Sequence, residues 1–252
     1  MTPATAALLA GAGLVAGAVN AVAGGGSLVS FPALLAAGYP SVTANVTNTV
    51  ALFPGYAGSV AGGRPELLGQ GRKIRSVALT SVLGAIVGVL VLLNTPGDVF
   101  RRVVPYLILL ACVLLVFQPR LARLVQGRQG ARTGGTPVLL QAGVLLSAVY
   151  GAYFGAGLGV LLLGILGIFL HERLQRVNAF KNVLSLVINA VALVAFGLFG
   201  PVAWDAVAVV AAASLAGGYF GARVARRIPA TVLRTSVVIY GVVVAVVLLV
   251  RG

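Results

Sequence analysis

Apolar runs separated by short polar connectors cover almost the whole chain. They fall at 5–23, 27–38, 45–63, 76–93, 103–118, 138–154, 157–170, 178–199, 204–222 and 235–250. The runs lack the alternation of polar and apolar residues that is typical of a barrel strand. Each run therefore predicts a helix, and together they predict an all-α protein.

The composition indicates where these helices lie. The 252 residues are 60% hydrophobic and only 9% charged, and the mean hydropathy is +1.07. A soluble domain carries roughly 25% charged residues, and a disordered chain is polar, so both classes are excluded. Apolar runs of about 20 residues are typical of membrane spans. We therefore expect an integral, multi-pass protein of the cell inner (plasma) membrane, in contact with the lipid bilayer.

The two sides of a polar segment at 119–136 repeat each other. Alignment of the two sides superposes Gly25 on Gly155 and, after a short insertion in the second side, Asn45 on Asn178. The same alignment superposes two glycine pairs with GxxxG spacing, which suits close helix packing in lipid. These pairs are Gly84 with Gly88 and Gly217 with Gly221. We predict one transporter domain, 1–252, with a first repeat at 1–118, a cytoplasmic linker at 119–136 and a second repeat at 137–252.

The basic residues indicate orientation. The net charge is +14, but the charges lie in short connectors between apolar runs, which is typical of topology signals and not of a nucleic-acid surface. Connectors 64–75, 119–136, 171–176 and 223–234 hold 14 of the 18 Lys and Arg residues. Placing them inside puts both termini outside and gives the two halves opposite topology, an inverted repeat.

The start of each half is too short for two crossings. Both flanks of 138–170 are predicted inside, yet a helix of this length reaches only about 50 Å, less than two passes through a ~30 Å core. The segment is either a re-entrant helical hairpin or two short tilted helices, and the same holds for 4–38. Each half thus combines this glycine-tipped unit with three transmembrane helices.

Glycine runs mark the tips of these units, at 23–27 and 154–159. Glycine lets backbone amides approach a ligand, and the helix that follows offers unpaired amides and a positive dipole end to an anion. The alternative is that the glycines only allow a tight turn or close packing. The candidate binding residues here are Gly25, Gly26, Ser27, Gly155 and Gly157.

Polar side chains form a second candidate cluster. On the third run they are Asn45, Thr47 and Asn48, and on the eighth they are Asn178, Asn182 and Asn189. Residues 178, 182, 185 and 189 share one helical face, and buried amides in lipid are costly unless paired. The alternative for Asn45 and Asn178 is that they cap their helices.

Lys181 is the most informative single residue. An ionisable group inside a span is rare and is usually functional; the alternative is that it snorkels to the interface. Its partner in the first half is Asn48, so the site would be symmetric in shape and asymmetric in charge. One fixed cation and two helix N-termini favour a small anion.

The motifs resemble the sulfite exporter TauE/SafE family. The resemblance rests on the opening 13–27 with Asn20, on Phe31-Pro32, on 44–49, and in the second half on 150–157 and 178–182. It covers nearly the whole chain, and it implies a permease for small sulfur-containing anions such as sulfite, thiosulfate or organosulfonates. The same resemblance places Asn20 among the substrate-binding candidates.

Function is therefore predicted as export of such an anion by alternating access. An anion channel, a transporter of a non-sulfur carboxylate, and a membrane scaffold without a transported ligand remain alternatives. The sequence offers no nucleophile–base pair and no metal cluster, so we expect no enzyme activity, cofactor, metal or nucleic-acid partner. Association into a homo-oligomer stays open.

Overall fold

The computed structural model describes residues 1–22, 24–127, 137–170, 172–224 and 230–251, and the regular structure in these ranges is helical. Each of the ten predicted runs corresponds to a helix. In chain order the helices are α1 Pro3–Val22, α2 Ser27–Ala36, α3 Ser41–Gly62, α4 Arg64–Leu67, α5 Gly71–Leu93, α6 Gly97–Gly127, α7 Pro137–Tyr153, α8 Leu158–Phe169, α9 Leu174–Phe199, α10 Trp204–Val224 and α11 Ala230–Arg251.

Length and hydropathy together single out four helices, and two other helices are distinctly short. Within the described ranges four helices are long and apolar enough to cross a membrane, namely Pro3–Ala21, Gly71–Leu93, Gly97–Arg120 and Leu174–Phe199. By contrast, α2 has 10 residues and α8 has 12. At about 1.5 Å per residue these helices are about 15 and 18 Å long, about half of a ~30 Å hydrocarbon core.

The polar segment at 119–136 was predicted to be a linker, but its first part is helical. Helix α6 continues through Pro119 to Gly127, and residues 128–136 lie outside the described residues. The stretch after Pro119 is rich in Ala, Leu, Arg and Gln, which are good helix formers. Arg120 also stacks over the ring of Phe117, 5.0 Å from its centroid.

Glycines bring helices of the two halves into backbone contact. A methyl group at Gly13 would lie 2.9 Å from the Val210 carbonyl oxygen, so α1 packs closely along α10. In the second close pair, α5 with α7, a methyl group at Gly84 would lie 2.7 Å from the Leu145 carbonyl oxygen. The predicted role of the glycine pairs is confirmed for Gly84, Gly88 and Gly217, while the surroundings of Gly221 lie outside the description.

Most of the remaining helix contacts also join the two halves. Helix α3 packs on α9 at the centre, and α10 packs on α3 as α5 packs on α9. Helix α6 packs on α8 and α11 packs on α2, with α6 and α11 against each other. The outer faces of α5, α6 and α11 expose large apolar side chains such as Leu83, Val113 and Val246. Such faces suit lipid contact.

Polar contacts fasten one end of the bundle, which we call the basic end. The Lys73 ammonium donates to a Glu172 carboxylate oxygen at 2.8 Å, and the Arg176 Nε lies 3.4 Å from the other oxygen. Arg176 also donates to the Leu68 carbonyl at 2.8 Å. The hydrogen bond from Lys73 lowers the pKa of Glu172. Lys73 lies in the first turn of α5 in the first half, and Glu172 lies just before α9 in the second half. This basic-end clasp therefore joins the two halves.

A second set of contacts fastens the other end, which we call the opposite end. The Tyr39 hydroxyl donates to Asp205 at 3.0 Å. The pKa of Tyr39 is raised, mainly because the hydroxyl is partly buried and in addition because the Asp205 carboxylate lies beside it. The Ala203 amide donates to the Thr47 hydroxyl at 2.9 Å. This opposite-end clasp ties the loop before α3, and α3 itself, to the start of α10.

Candidate functional site

Both glycine tips contain residues in the left-handed backbone region. Gly24 has φ +77°, Gly155 +80° and Gly157 +79°, values that side chains with a Cβ rarely adopt. Gly25 and Gly26 have no positive φ angle, and only Gly26 is tightly packed. A methyl group at Gly26 would overlap the Ala16 carbonyl oxygen, whereas one at Gly25 would meet only the far end of the Leu115 side chain.

The two tips cross each other. A methyl group at Gly24 would lie 2.8 Å from the Cα of Gly159, so the backbones touch directly. Farther along, the rings of Phe31 and Phe154 meet edge to face with centroids 5.4 Å apart. Residue 24 thus faces 159 while 31 faces 154. The tip before α2 therefore lies against the start of α8, and the side chain of Phe31 in α2 meets the tip before α8. These two contacts bring the N-termini of both helices close together.

Lys181 lies beside this crossing. It sits two turns into α9, about 10 Å from the start of the helix at Leu174. Its side chain is only 2% exposed, and its Cδ would lie 3.5 Å from a methyl group at Gly159. The ion pairs found among the described residues both use Glu172 and do not include Lys181. Its burial gives the snorkelling alternative no support.

A hydrogen-bonded group from the first half supports the tip at 24–27. The Asn20 Oδ1 accepts from the Gly26 amide at 2.8 Å, and the Ser30 hydroxyl donates to the Asn48 Oδ1 at 2.5 Å. The Nδ2 of Asn48 is buried and has no partner among the described residues. Asn48 therefore keeps one free donor, while Asn20 is occupied in shaping the tip.

The polar face of α9 is largely buried. Asn182, Ser185 and Asn189 are each 5% exposed or less, and Asn189 donates to the Ser185 carbonyl at 2.8 Å. The Asn182 Oδ1 and the Ser185 hydroxyl have no partner in the described part of the chain. Asn178 differs, since it is only partly buried.

Neither Asn45 nor Asn178 caps its helix, so that alternative is wrong. The N-cap residues are Pro40 for α3 and Arg173 for α9, and both asparagines lie in the second turn. Asn45 donates across the interface to the Tyr153 carbonyl at 2.8 Å. The Thr47 hydroxyl accepts a hydrogen bond from the Ala203 amide in the opposite-end clasp. These two side chains position the second tip and the start of α10.

Some residues of this region were missed by sequence reasoning. Gly24 and Gly159 belong to the glycine runs but were not selected, because nothing local distinguishes them from Gly25 and Gly157. Ser30 was overlooked although a polar residue one turn after a tip is a usable signal. The approach of Phe31 to Phe154 is a long-range contact without a local pattern.

The arrangement is suited to holding a small anion. It gathers one buried ammonium, the free amide donor of Asn48 and the first turns of two helices. The amides of Ser27 and Gly159 have no partner within the described ranges, and such N-terminal amides favour negative charge.

Relatives of known description support a membrane transporter. The chain is 28% identical over 230 residues to a "Probable membrane transporter protein" of Haemophilus influenzae, covering 90% of this chain and 88% of that protein. It is 27% identical over 240 residues to "Probable membrane transporter protein ORF9" of Sinorhizobium sp, covering 94% and 90%. It is 28% identical over 216 residues to "Probable membrane transporter protein YfcA" of Escherichia coli K12, covering 85% and 77%.

No solved structure matches the chain significantly. A family model described as "Sulfite exporter TauE/SafE" matches residues 9–248. This match covers the glycine tips, Asn48 and Lys181, and it agrees with the resemblance found in the sequence motifs. The chain therefore belongs to the sulfite exporter TauE/SafE family of membrane transporters.

Proposed function

We propose that the protein is an inner-membrane permease that exports a small sulfur-containing anion, such as sulfite, thiosulfate or an organosulfonate. The observation that carries this proposal is the buried Lys181 beside the crossing of Gly24 and Gly159. A buried cation is costly unless something of opposite charge pairs with it. The ion pairs among the described residues do not include Lys181, and a transported anion would supply the opposite charge.

The bound anion would rest on Lys181 and on neutral donors of both halves. The Asn48 Nδ2 is free to donate, and the amides of Ser27 and Gly159 open the first turns of α2 and α8. Hydrogen bonds to a charged partner are stronger than neutral ones. The family description, which names sulfite, supports a sulfur oxyanion as the ligand.

We infer that the two halves form an inverted repeat that works by alternating access. The paired contacts of α1 with α10 and α7 with α5 support this inference, as do the short lengths of α2 and α8. Each of these short helices would form the second arm of a glycine-tipped hairpin. The anion site lies at the crossing of these hairpins, with one clasp toward each end of the bundle. Rocking of the hairpins would open one clasp while the other stays closed.

The test uses purified protein in proteoliposomes and measures sulfite efflux and sulfite-induced thermal stabilisation. Lys181→Ala is expected to weaken sulfite binding by roughly tenfold or more, about 1.4 kcal/mol or above. Lys181→Arg should also perform poorly, because a planar guanidinium does not replace a compact ammonium.

Arg72→Ala is the matched control, since it removes one positive charge from an exposed position at the basic end. Its affinity for sulfite should stay at the wild-type value. A wild-type affinity in Lys181→Ala would refute the role of Lys181. Efflux at channel-like rates, or a strong preference for carboxylates, would favour the alternative functions instead.

A further inference from the structure

We infer that the site selects oxyanions carrying a single negative charge, and that the contrast between Lys181 and Asn48 sets this limit. The inference rests on the proposed anion-permease function and goes beyond it, because it assigns a charge class to the substrate. It predicts that dianions of equal size and shape are rejected. Among the proposed substrates it therefore selects hydrogen sulfite and organosulfonates with one charge, and it excludes thiosulfate, which carries two charges at neutral pH.

The charge inventory of the described residues is the first argument. Among the buried residues that the structure describes, Lys181 is the one with a charged side chain. Helices α1, α2, α3, α7 and α8 contain no Lys, Arg, Asp or Glu. The interior around the crossing therefore offers one positive charge, and one negative charge neutralises it.

The second argument concerns Asn48, which occupies the position equivalent to Lys181 when the two halves are aligned. A second lysine there would have given a doubly charged site. The asparagine instead offers a neutral donor, its buried and unpartnered Nδ2, among the residues that the structure describes. That donor can contact another oxygen of the ligand but cannot balance a second charge.

The helix N-termini do not act as a second cation. In α2 the Gly26 amide is bonded to Asn20, and the amides of Leu28, Val29 and Ser30 are bonded to tip carbonyls. In α8 the amides of Leu158, Val160 and Leu161 are likewise bonded. Among the described residues, one amide at each helix start stays without a partner, that of Ser27 in α2 and that of Gly159 in α8. Each helix therefore offers the anion one neutral donor and a partial dipole charge, not the full charge of a second lysine.

Physical chemistry then disfavours a dianion. The cost of moving an ion from water into a low-dielectric interior rises with the square of its charge, whereas its attraction to one lysine rises only in proportion. The second charge of a dianion is left without a partner. A sulfonate or a hydrogen-sulfite ion has three oxygens for the available donors and the single charge that the site can balance.

The experiment uses two tetrahedral probes of similar size that keep their charge throughout the neutral range, methanesulfonate with one charge and sulfate with two. Each competes with labelled sulfite for transport in proteoliposomes. In the wild type, methanesulfonate should compete at a concentration roughly tenfold or more below that of sulfate. Equal or better competition by sulfate overturns the inference.

Asn48→Lys tests the role of the equivalent position, and Asn48→Gln is its neutral control. Asn48→Lys should move the preference at least roughly tenfold toward sulfate, while Asn48→Gln should keep the wild-type preference. A folded Asn48→Lys variant, judged by size-exclusion elution and thermal melting, that still prefers methanesulfonate overturns the assignment to Asn48.

The wild-type ratio of the two probes remains decisive if the lysine variant fails to fold. If sulfite is transported but neither probe competes, the charge rule is wrong and the permease function stands. If the wild type moves no anion at all, the proposed function itself is overturned.

Discussion

The contact between the backbones of Gly24 and Gly159 can be tested by adding a single methyl group. In Gly24→Ala the new Cβ would lie 2.8 Å from the Gly159 Cα, and backbone cannot rotate out of the way. Overpacking of this kind costs about 1–3 kcal/mol. The φ of +77° at Gly24 adds about 1–2 kcal/mol for a residue with a Cβ. We expect Gly24→Ala to destabilise the protein by about 2–5 kcal/mol.

Gly38→Ala separates the two contributions. Gly38 also has a positive φ, +92°, but a methyl group there would have nothing within 4 Å. It should therefore show the backbone cost alone, about 1–2 kcal/mol. The complementary variant is Gly159→Ala, which adds the methyl group at the same contact from a helical position without a positive φ.

The assay is thermal unfolding of the purified protein in detergent, with sulfite efflux measured in parallel. A change of about 1 kcal/mol corresponds to a shift in Tm of about 2–4 °C for a chain of this size. Gly24→Ala should melt clearly below Gly38→Ala. Equal melting temperatures would refute the direct backbone contact, since only the steric contribution distinguishes the two positions.

The topology, the basic-end clasp and the charge of the substrate each give a further prediction. In a Cys112→Ala background, an external thiol reagent should label Asn94→Cys and spare Arg72→Cys; the opposite pattern would contradict the inverted repeat. Because its folded-state pKa is lowered, Glu172 stabilises the fold above its unfolded pKa and loses this effect as pH falls through the folded value. The Tm advantage of wild type over Glu172→Gln should therefore shrink on acidification, and a constant difference would count against the clasp. A monovalent anion leaving an inside-negative vesicle gains about 2.3 kcal/mol per ~100 mV, so efflux should quicken with that potential and need no pH or Na⁺ gradient; strict dependence on either gradient would reject electrogenic export.

Sequence reasoning predicted what depends on local pattern. Apolar runs located the helices, and the spacing of Gly84 and Gly88 predicted close packing because a methyl group has no room at such a contact. The burial of Asn48 and Lys181 also followed from polar residues inside apolar runs. Each of these inferences uses neighbours within a few turns of helix.

Sequence reasoning did not predict the contacts between residues that are distant along the chain. Nothing near Gly24 indicates that it, and not Gly25, takes the positive φ and meets Gly159, which lies in the other half of the chain. The start of α9 at Leu174 was also missed, so Asn178 was considered as a cap. The apolar run at 103–118 was followed by a predicted linker at 119–136, whereas the helix formers after Pro119 continue α6 to Gly127.

In the proposed inverted repeat, the unequal pair of Asn48 and Lys181 means that neither half could replace the other. A molecule assembled from two copies of 1–118 would bring two asparagines to these positions and no cation. One assembled from two copies of 137–252 would bring two lysines, which repel each other in a dry interior. Only a combination of two unlike halves supplies a single lysine, so divergence of the halves would have set the charge of the proposed site as well as its shape.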